Sequence, residues 1–338
     1  LYPGHPDVSS YKTDAMKKGE EWDYRNPSFL FNTLPSWIQD EDSESGRNTA
    51  LELMQILSSY FDTLHLQIQE IPKIKSHRYL SSSIDSHPKP LPFAAKLLKK
   101  ELAAKNYQCS PISLGANTDP YQPIERDYQI TRQILQVLNE TRHPCHIVTK
   151  SAMVERDIDI LQQMASQDLV RVHLSITTLD PALSRVMEPR ASAPKRRLQT
   201  IQTLRAAGIP VTVLIAPVIP VLTDSELEDI VKAVTRAGAL DVNYILLRLP
   251  LEVSPLFEKW LQTYRPNQAQ HILNRIHDLR GGKNNDPRFS HRLRGEGIFA
   301  DLLEQRFRNI HKRTQLECSI TPLRCDLFQA PGSQMRLF

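Results

Sequence analysis

The sequence predicts an α/β fold, an open or closed barrel of parallel strands with helices between them. Three observations carry that prediction. Five short apolar segments recur roughly 25 to 40 residues apart with helical patterns between them, the spacing of parallel βα units. Polar residues cluster at the C-terminal end of each segment, where barrel enzymes place their chemistry. Gly-x-Gly-x-x-Gly and Walker-type phosphate loops are absent, which weakens the nucleotide-binding versions of a doubly wound sheet, the competing fold.

The elements follow in order. Pro111 to Leu114 is short and mostly apolar and reads as a buried strand, ended by Gly115 where the backbone turns or approaches another chain closely. Asn117, Thr118 and Asp119 then gather three polar side chains, and Pro120 and Pro123 stiffen the loop. A helix follows Asp127, with Ile130, Ile134, Leu135 and Leu138 expected on one face. His146 to Ser151 is the second strand, ending in Thr149, Lys150 and Ser151; Val170 to Thr178 is the third, ending in Ser175, Thr177 and Thr178. Asp180-Pro181 predicts an N-cap followed by proline at the first helical position. Val211 to Pro220 is a strand interrupted by prolines. Thr223-Asp-Ser-Glu226 predicts a capping box before Leu227, Ile230, Val231 and Val234. Val242 to Leu249 is the fifth strand and carries Arg248. Gly208 and Gly238 stand where helices end.

The chain has 338 residues, enough for one domain of barrel size or two smaller ones. Its longest apolar run, residues 209–222, holds three prolines and is too short to span a bilayer. The N-terminal stretch is polar and lacks the hydrophobic segment of a secretory signal. Four scattered cysteines are no disulfide framework, so a reducing cytoplasm is expected. Net charge is +4 but uneven. Residues 1–93 hold 9 basic and 13 acidic side chains, and the remainder 33 and 25. Residues 271–313 hold ten Arg or Lys against five Asp or Glu, plus four histidines. Such a segment reads either as a polyanion-binding patch or as a solvated helical face.

From about Ala94 onward the chain resembles the radical S-adenosylmethionine (SAM) superfamily, and more narrowly its branch related to spore photoproduct lyase, often described as DNA-repair-photolyase-like. The resemblance rests on an ordered set: Gly115-Ala-Asn-Thr-Asp-Pro-Tyr-Gln-Pro-Ile-Glu125, Val148-Thr-Lys-Ser151, Ser175-Ile-Thr-Thr-Leu-Asp180, Glu188-Pro-Arg-Ala-Ser-Ala-Pro194 with Arg197, and Ala216-Pro-Val-Ile-Pro220. Arg280-Gly-Gly-Lys283, Arg292-Leu-Arg-Gly-Glu-Gly297 and Gly332-Ser-Gln-Met-Arg-Leu-Phe338 continue it. It implies a partial (β/α)6 TIM-like barrel over residues 94–265, a helical, basic C-terminal extension and tail over 266–338, and a poorly defined segment over 1–93. It also implies SAM at the C-terminal ends of the strands. Asn117, Thr118 and Asp119 are then expected near the methionine amino group, and Lys150, Ser175 and Arg197 within reach of its carboxylate or the ribose. Glu188 is expected to hold Arg197 or contact the ribose, and Ala216 and Pro217 to lie near the adenine. For Lys150 and Arg197 a salt bridge on the barrel rim is the competing reading. Arg292, Arg294 and Glu296 are candidates for substrate contact, or for an Arg–Glu network closing the open side of the barrel.

In that family a 4Fe–4S cluster held by Cys-x3-Cys-x2-Cys receives an electron from a reductant protein and cleaves SAM to a 5′-deoxyadenosyl radical. This chain has no such motif. Its cysteines are Cys109, Cys145, Cys318 and Cys325. The first two precede their strands, which puts them at the opposite end of a barrel from the SAM site. Small apolar filler or an incidental thiol is the expectation for all four. Two explanations stand for residues 20–93: damage such as a compensated frameshift or a wrong junction, or a true cluster-less relative. Translation of the other reading frames over that region separates them. The expected function is therefore a radical SAM protein of this branch, cluster-less as written, with a possible nucleic-acid substrate class. The alternatives are a non-catalytic SAM- or nucleic-acid-binding barrel and, more weakly, an ordinary barrel enzyme using Lys150 as a Schiff-base lysine.

Overall fold

The computed structural model describes residues 93–115, 119–249, 253–282, 293–314, 316 and 321–332. Its centre is a sheet of five parallel strands in the order β1-β2-β3-β4-β5, which is also chain order. The strands are β1 (Ile112–Leu114), β2 (Cys145–Thr149), β3 (Val170–Ser175), β4 (Val211–Val218) and β5 (Asp241–Leu246). Each successive pair is joined through helices: α2 (Glu125–Tyr128) and α3 (Ile130–Glu140), then α4 (Ile158–Ala165), then α5 (Pro181–Met187) and α6 (Pro194–Ala206), then α7 (Leu227–Arg236). Sequential parallel order with helical crossovers is the winding of a barrel, so all five expected strands stand where the periodicity put them.

Burial alternates along the strands because successive side chains point to opposite faces. Cys145, Ile147, Val170, Val172, Leu174, Val211, Val213, Ile215, Val242 and Leu246 are buried together against Leu135 and Leu138 of α3, Leu161 and Met164 of α4, Ile201 and Leu204 of α6, and Val231 and Val234 of α7. The opposite face is polar for a barrel interior. Register aligns His146 with Arg171, and Val148 with His173, Thr212 and Asp241.

The local signals resolve differently. Asp180 caps α5, accepting a hydrogen bond from Ala182 N at 2.8 Å, with Pro181 following. Gly208 and Gly238 end their helices with φ of +76° and +95°. The buried residues of α3 are Thr131, Leu135, Val137 and Leu138, so its inward face turns away from Ile130 toward Thr131. The capping box does not form. Thr223 Oγ1 instead accepts from Ile219 N at 2.8 Å, and the Glu226 carboxylate reaches Thr178 Oγ1 at 2.5 Å and Leu179 N at 2.7 Å. Tertiary partners outcompete the local ones.

Beyond β5, α8 (Val253–Tyr264) and α9 (Ala269–Asp278) build a second core. Phe257, Trp260, Leu261, Ile272 and Ile276 pack there with Leu183 and Met187 of α5. The expected division at 265/266 falls between these two helices of one core. The last helix, α10 (Ile298–Thr314), lies on β5 and α7: Phe307 packs on Tyr244 at 4.9 Å between ring centroids, and Arg306 pairs with Glu228 at 2.7 Å. α1 (Phe93–Leu102) covers α3. Residues 321–332 then cross the N-terminal ends of the strands, where Arg324 N donates to Asp168 O at 3.0 Å and Gln329 N to Thr141 O at 2.8 Å. Among the described residues no helix is long and apolar enough to cross a membrane. The expectations for residues 1–92 lie outside the described residues.

Candidate functional site

The C-terminal ends of β1 to β4 share one connected polar network. It begins at Gly115, whose φ is +95° and whose missing side chain matters: a Cβ there would stand 2.0 Å from Val148 O. This close approach seats the loop after β1 directly on β2. Asp119 then reaches across. Its carboxylate accepts from Thr149 Oγ1 at 2.6 Å, Lys150 N at 2.8 Å and Tyr121 N at 2.9 Å. Three donors on one carboxylate lock the loop and the end of β2 together.

The neighbouring residue extends the network. Lys150 Nζ lies 3.0 Å from Glu188 Oε1, with a little over a quarter of its side chain exposed. Glu188 is buried between Lys150 and Arg197, and its other oxygen pairs with Arg197 Nη2. The Thr177 hydroxyl lies 2.7 Å from Glu188 Oε1 and 3.1 Å from Ala216 O, which ties the end of β4 to the same carboxylate. Burial alone would raise the Glu188 carboxyl. The charges of Arg197 and then Lys150, with hydrogen bonds from Arg197 and Thr177, outweigh burial and hold it at about 2. An ionised, buried glutamate is thereby fixed beneath a partly exposed ammonium.

Arg197 is 1% exposed, and its guanidinium is spent on the protein. Nε donates to Ser192 O at 2.6 Å, Nη1 to Ser175 O at 2.8 Å, and Nη2 to Glu188. In this network it positions Glu188 and the end of β3 and presents no open face to a ligand. Glu188 thus does the first of the two things expected of it, holding Arg197. The structure brings Asp119, Lys150, Ser175, Glu188, Arg197 and Ala216 into one hydrogen-bonded chain, with Pro217 next in sequence. Asn117, Thr118 and Arg292 lie outside the described residues. Arg294 is elsewhere: its guanidinium stacks 4.1 Å from the Tyr244 ring and 5.8 Å from Phe307. Glu296 N donates to Leu279 O at 3.0 Å, close to Gly281. Two residues outside the expected set complete the network, Thr149 and Thr177. Their place at the polar tips of β2 and β3 is the sequence signal that marks them.

A partly exposed ammonium beside hydrogen-bonded carboxylates, at the mouth of a parallel barrel, suits a zwitterionic amino-acid ligand. The residues present therefore fit SAM. They do not fit a cluster. Among the described residues the thiols are Cys109, Cys145 and Cys325. Cys109 precedes β1 and Cys145 opens β2, both at the N-terminal ends of the strands. Cys145 is fully buried, and burial pushes its thiol up to about 12. Among the described residues no group of three His, Cys, Asp or Glu is arranged to hold a metal ion. Cys318, outside them, is a single further thiol.

A family model described as Radical SAM superfamily matches residues 86–234. The chain is 31% identical over 239 residues to an uncharacterized protein of Mycobacterium tuberculosis, covering 69% of each chain. It is 34% identical over 115 residues to an uncharacterized protein of Methanocaldococcus jannaschii, covering 34% of this chain and 43% of that one. Among solved structures it is similar to a spore photoproduct lyase point mutant, with TM-score 0.50 and 16% identity, covering 65% of this chain and 63% of that one. A second such mutant, solved with a dinucleoside spore photoproduct, gives the same values. At that identity the structural likeness carries the fold, a radical-SAM-type TIM-like barrel.

Proposed function

This chain belongs to the radical SAM superfamily, whose cofactors are SAM and a 4Fe–4S cluster, and from that membership we propose that it is a SAM-binding barrel of the spore photoproduct lyase-like branch that does not itself hold the cluster. The observation that carries the reading is the network at the strand ends. Lys150 offers its ammonium to the methionine carboxylate while Glu188 fixes where that ammonium stands. Asp119 lines the position of the amino group, where the sequence resemblance also expects Asn117 and Thr118. Ala216 and Pro217 border the adenine. Bound SAM supplies a sulfonium and an adenosyl group; the chain's own residues bind and orient it. Reductive cleavage requires a Cys-x3-Cys-x2-Cys cluster motif, which is absent from these 338 residues.

Calorimetry tests the binding half. SAM should bind the full chain, and Lys150→Met should weaken it by roughly ten- to a hundred-fold, the worth of one charge-assisted hydrogen bond. Equal binding to both proteins would remove Lys150 from the site.

A nucleic-acid partner held by residues 271–313 is the second reading. Several of its cations are already engaged. Arg280 is buried and donates to Leu247 O at 3.0 Å, Arg306 pairs with Glu228, Arg294 lies on Tyr244, and Arg308 pairs with Glu304. The steep salt dependence of phosphate contacts discriminates this reading from binding at the strand ends.

A further inference from the structure

The cysteines fail as cluster ligands, yet the segments that carry two of them meet. Cys109 lies just before β1, and Cys325 lies in the segment that crosses the N-terminal ends of the strands. Tyr107, two residues before Cys109, packs on Phe328, three residues after Cys325, and both cysteines are partly buried. An aromatic cluster joins the two segments. Phe328 packs 5.4 Å from the Tyr107 ring and 5.3 Å from His143, while Tyr107 Oη lies 2.6 Å from His143 Nε2. Phe328 N donates to Cys325 O at 3.3 Å, which sets the turn that carries Cys325 toward Tyr107 and Cys109. The segment is anchored before and after the cysteine. Arg171 Nη2 donates to Thr321 O at 2.6 Å, Arg324 N to Asp168 O, and Gln329 N to Thr141 O.

We propose that Cys109 and Cys325 form a reversible disulfide that clasps the C-terminal segment to the lead-in of β1. The Tyr107–Phe328 packing holds the two cysteine-bearing segments side by side, with Cys325 a neighbouring group of the Cys109 thiol, and closure makes a bond of about 2.05 Å. The oxidant is a low-molecular-weight disulfide of the glutathione class. One protein thiolate attacks a sulfur of the small disulfide, forming a mixed disulfide and releasing one small thiolate. The second protein thiolate attacks the protein sulfur of that intermediate and releases the other small thiolate. Two protein thiols lose two electrons and two protons, and the small disulfide gains them as two thiols. Burial, and then the neighbouring Cys325, push the Cys109 thiol up to about 12, so exchange is slow at neutral pH. That marks a slow structural clasp and not a fast sensor. Cys145 is the internal contrast, buried among apolar residues of the core. The inference is independent of what binds at the other end of the strands.

The full chain, purified reduced and incubated with glutathione disulfide, is alkylated, digested and mapped by mass spectrometry. A Cys109–Cys325 linked peptide is expected, with Cys145 alkylated only after unfolding and the link reversed by dithiothreitol. The oxidised protein should melt roughly 5 °C or more above the reduced one. That gain should survive Cys318→Ser and vanish in Cys109→Ser and Cys325→Ser. Mixed glutathione adducts alone, a link from Cys318 to Cys109, or equal melting of both forms would each overturn the proposal. The mapping on the unsubstituted chain decides even where a serine variant fails to fold.

Discussion

Glu188 and Gly115 show how much single positions carry. At Gly115 any side chain meets Val148 O and must also accept a positive φ. Gly115→Ala should therefore destabilise by about 2 to 4 kcal/mol, read as a lower urea midpoint, and should loosen the Asp119 loop. Titration is equally local. Burial holds His143 at about 4. His146 sits at about 4 and His173 at about 3 through burial first, with Arg171 adding to both and His146 adding to His173. The unfolded chain binds these protons near 6.5, before the folded protein does. Their contribution is thus complete above pH 6.5 and is lost as pH falls toward 4. Glu188, at about 2 against 4.5 unfolded, adds a second loss between those values. Melting temperature against pH should be flat above 6.5 and fall in two stages below it. A flat profile down to pH 4 would contradict the burial of the histidines.

At the scale of elements, the caps and connections decide how the site is presented. Asp180 caps α5, the helix that leads into Glu188. Asp180→Ala should cost about 1 kcal/mol, seen in thermal unfolding, and most of that should return with Asn, which keeps the acceptor. The 223–226 segment teaches the opposite lesson. Its local pattern predicts reciprocal capping, but Glu226 holds Thr178 and Leu179 on the neighbouring loop. A capping box is a weak local preference, and a carboxylate that finds two donors across a loop junction abandons it. The helices after β5 divide between two cores: α8 and α9 pack with α5 in the second, and α10 packs into the barrel's own. α9 shares a core with α8, and α10 covers β5. Among the described residues of 271–313, Arg280 is buried and Arg275, Arg306 and Arg308 are paired.

For the whole molecule, the family and the thiol inventory pull in different directions. Anaerobic reconstitution with iron and sulfide should give no stoichiometric cluster absorbance and no 5′-deoxyadenosine, because the strand C-terminal ends carry no cysteine among the described residues. A full cluster with SAM cleavage would show that other residues serve as ligands. The five strands, their polar tips and the proline and glycine punctuation were legible in the linear chain. Those features follow from periodicity and backbone restriction, which act within a few residues. The missing cysteine motif was legible for the same reason, being a matter of which residues exist. Nothing in the linear chain reveals that Arg197 spends every donor group on the protein, that Arg294 rests on Tyr244, or that the segments of Cys109 and Cys325 pack together through Tyr107 and Phe328. Those outcomes depend on which distant groups arrive first at a shared hydrogen-bond partner or a shared pocket, and packing settles that competition only once the strands are side by side.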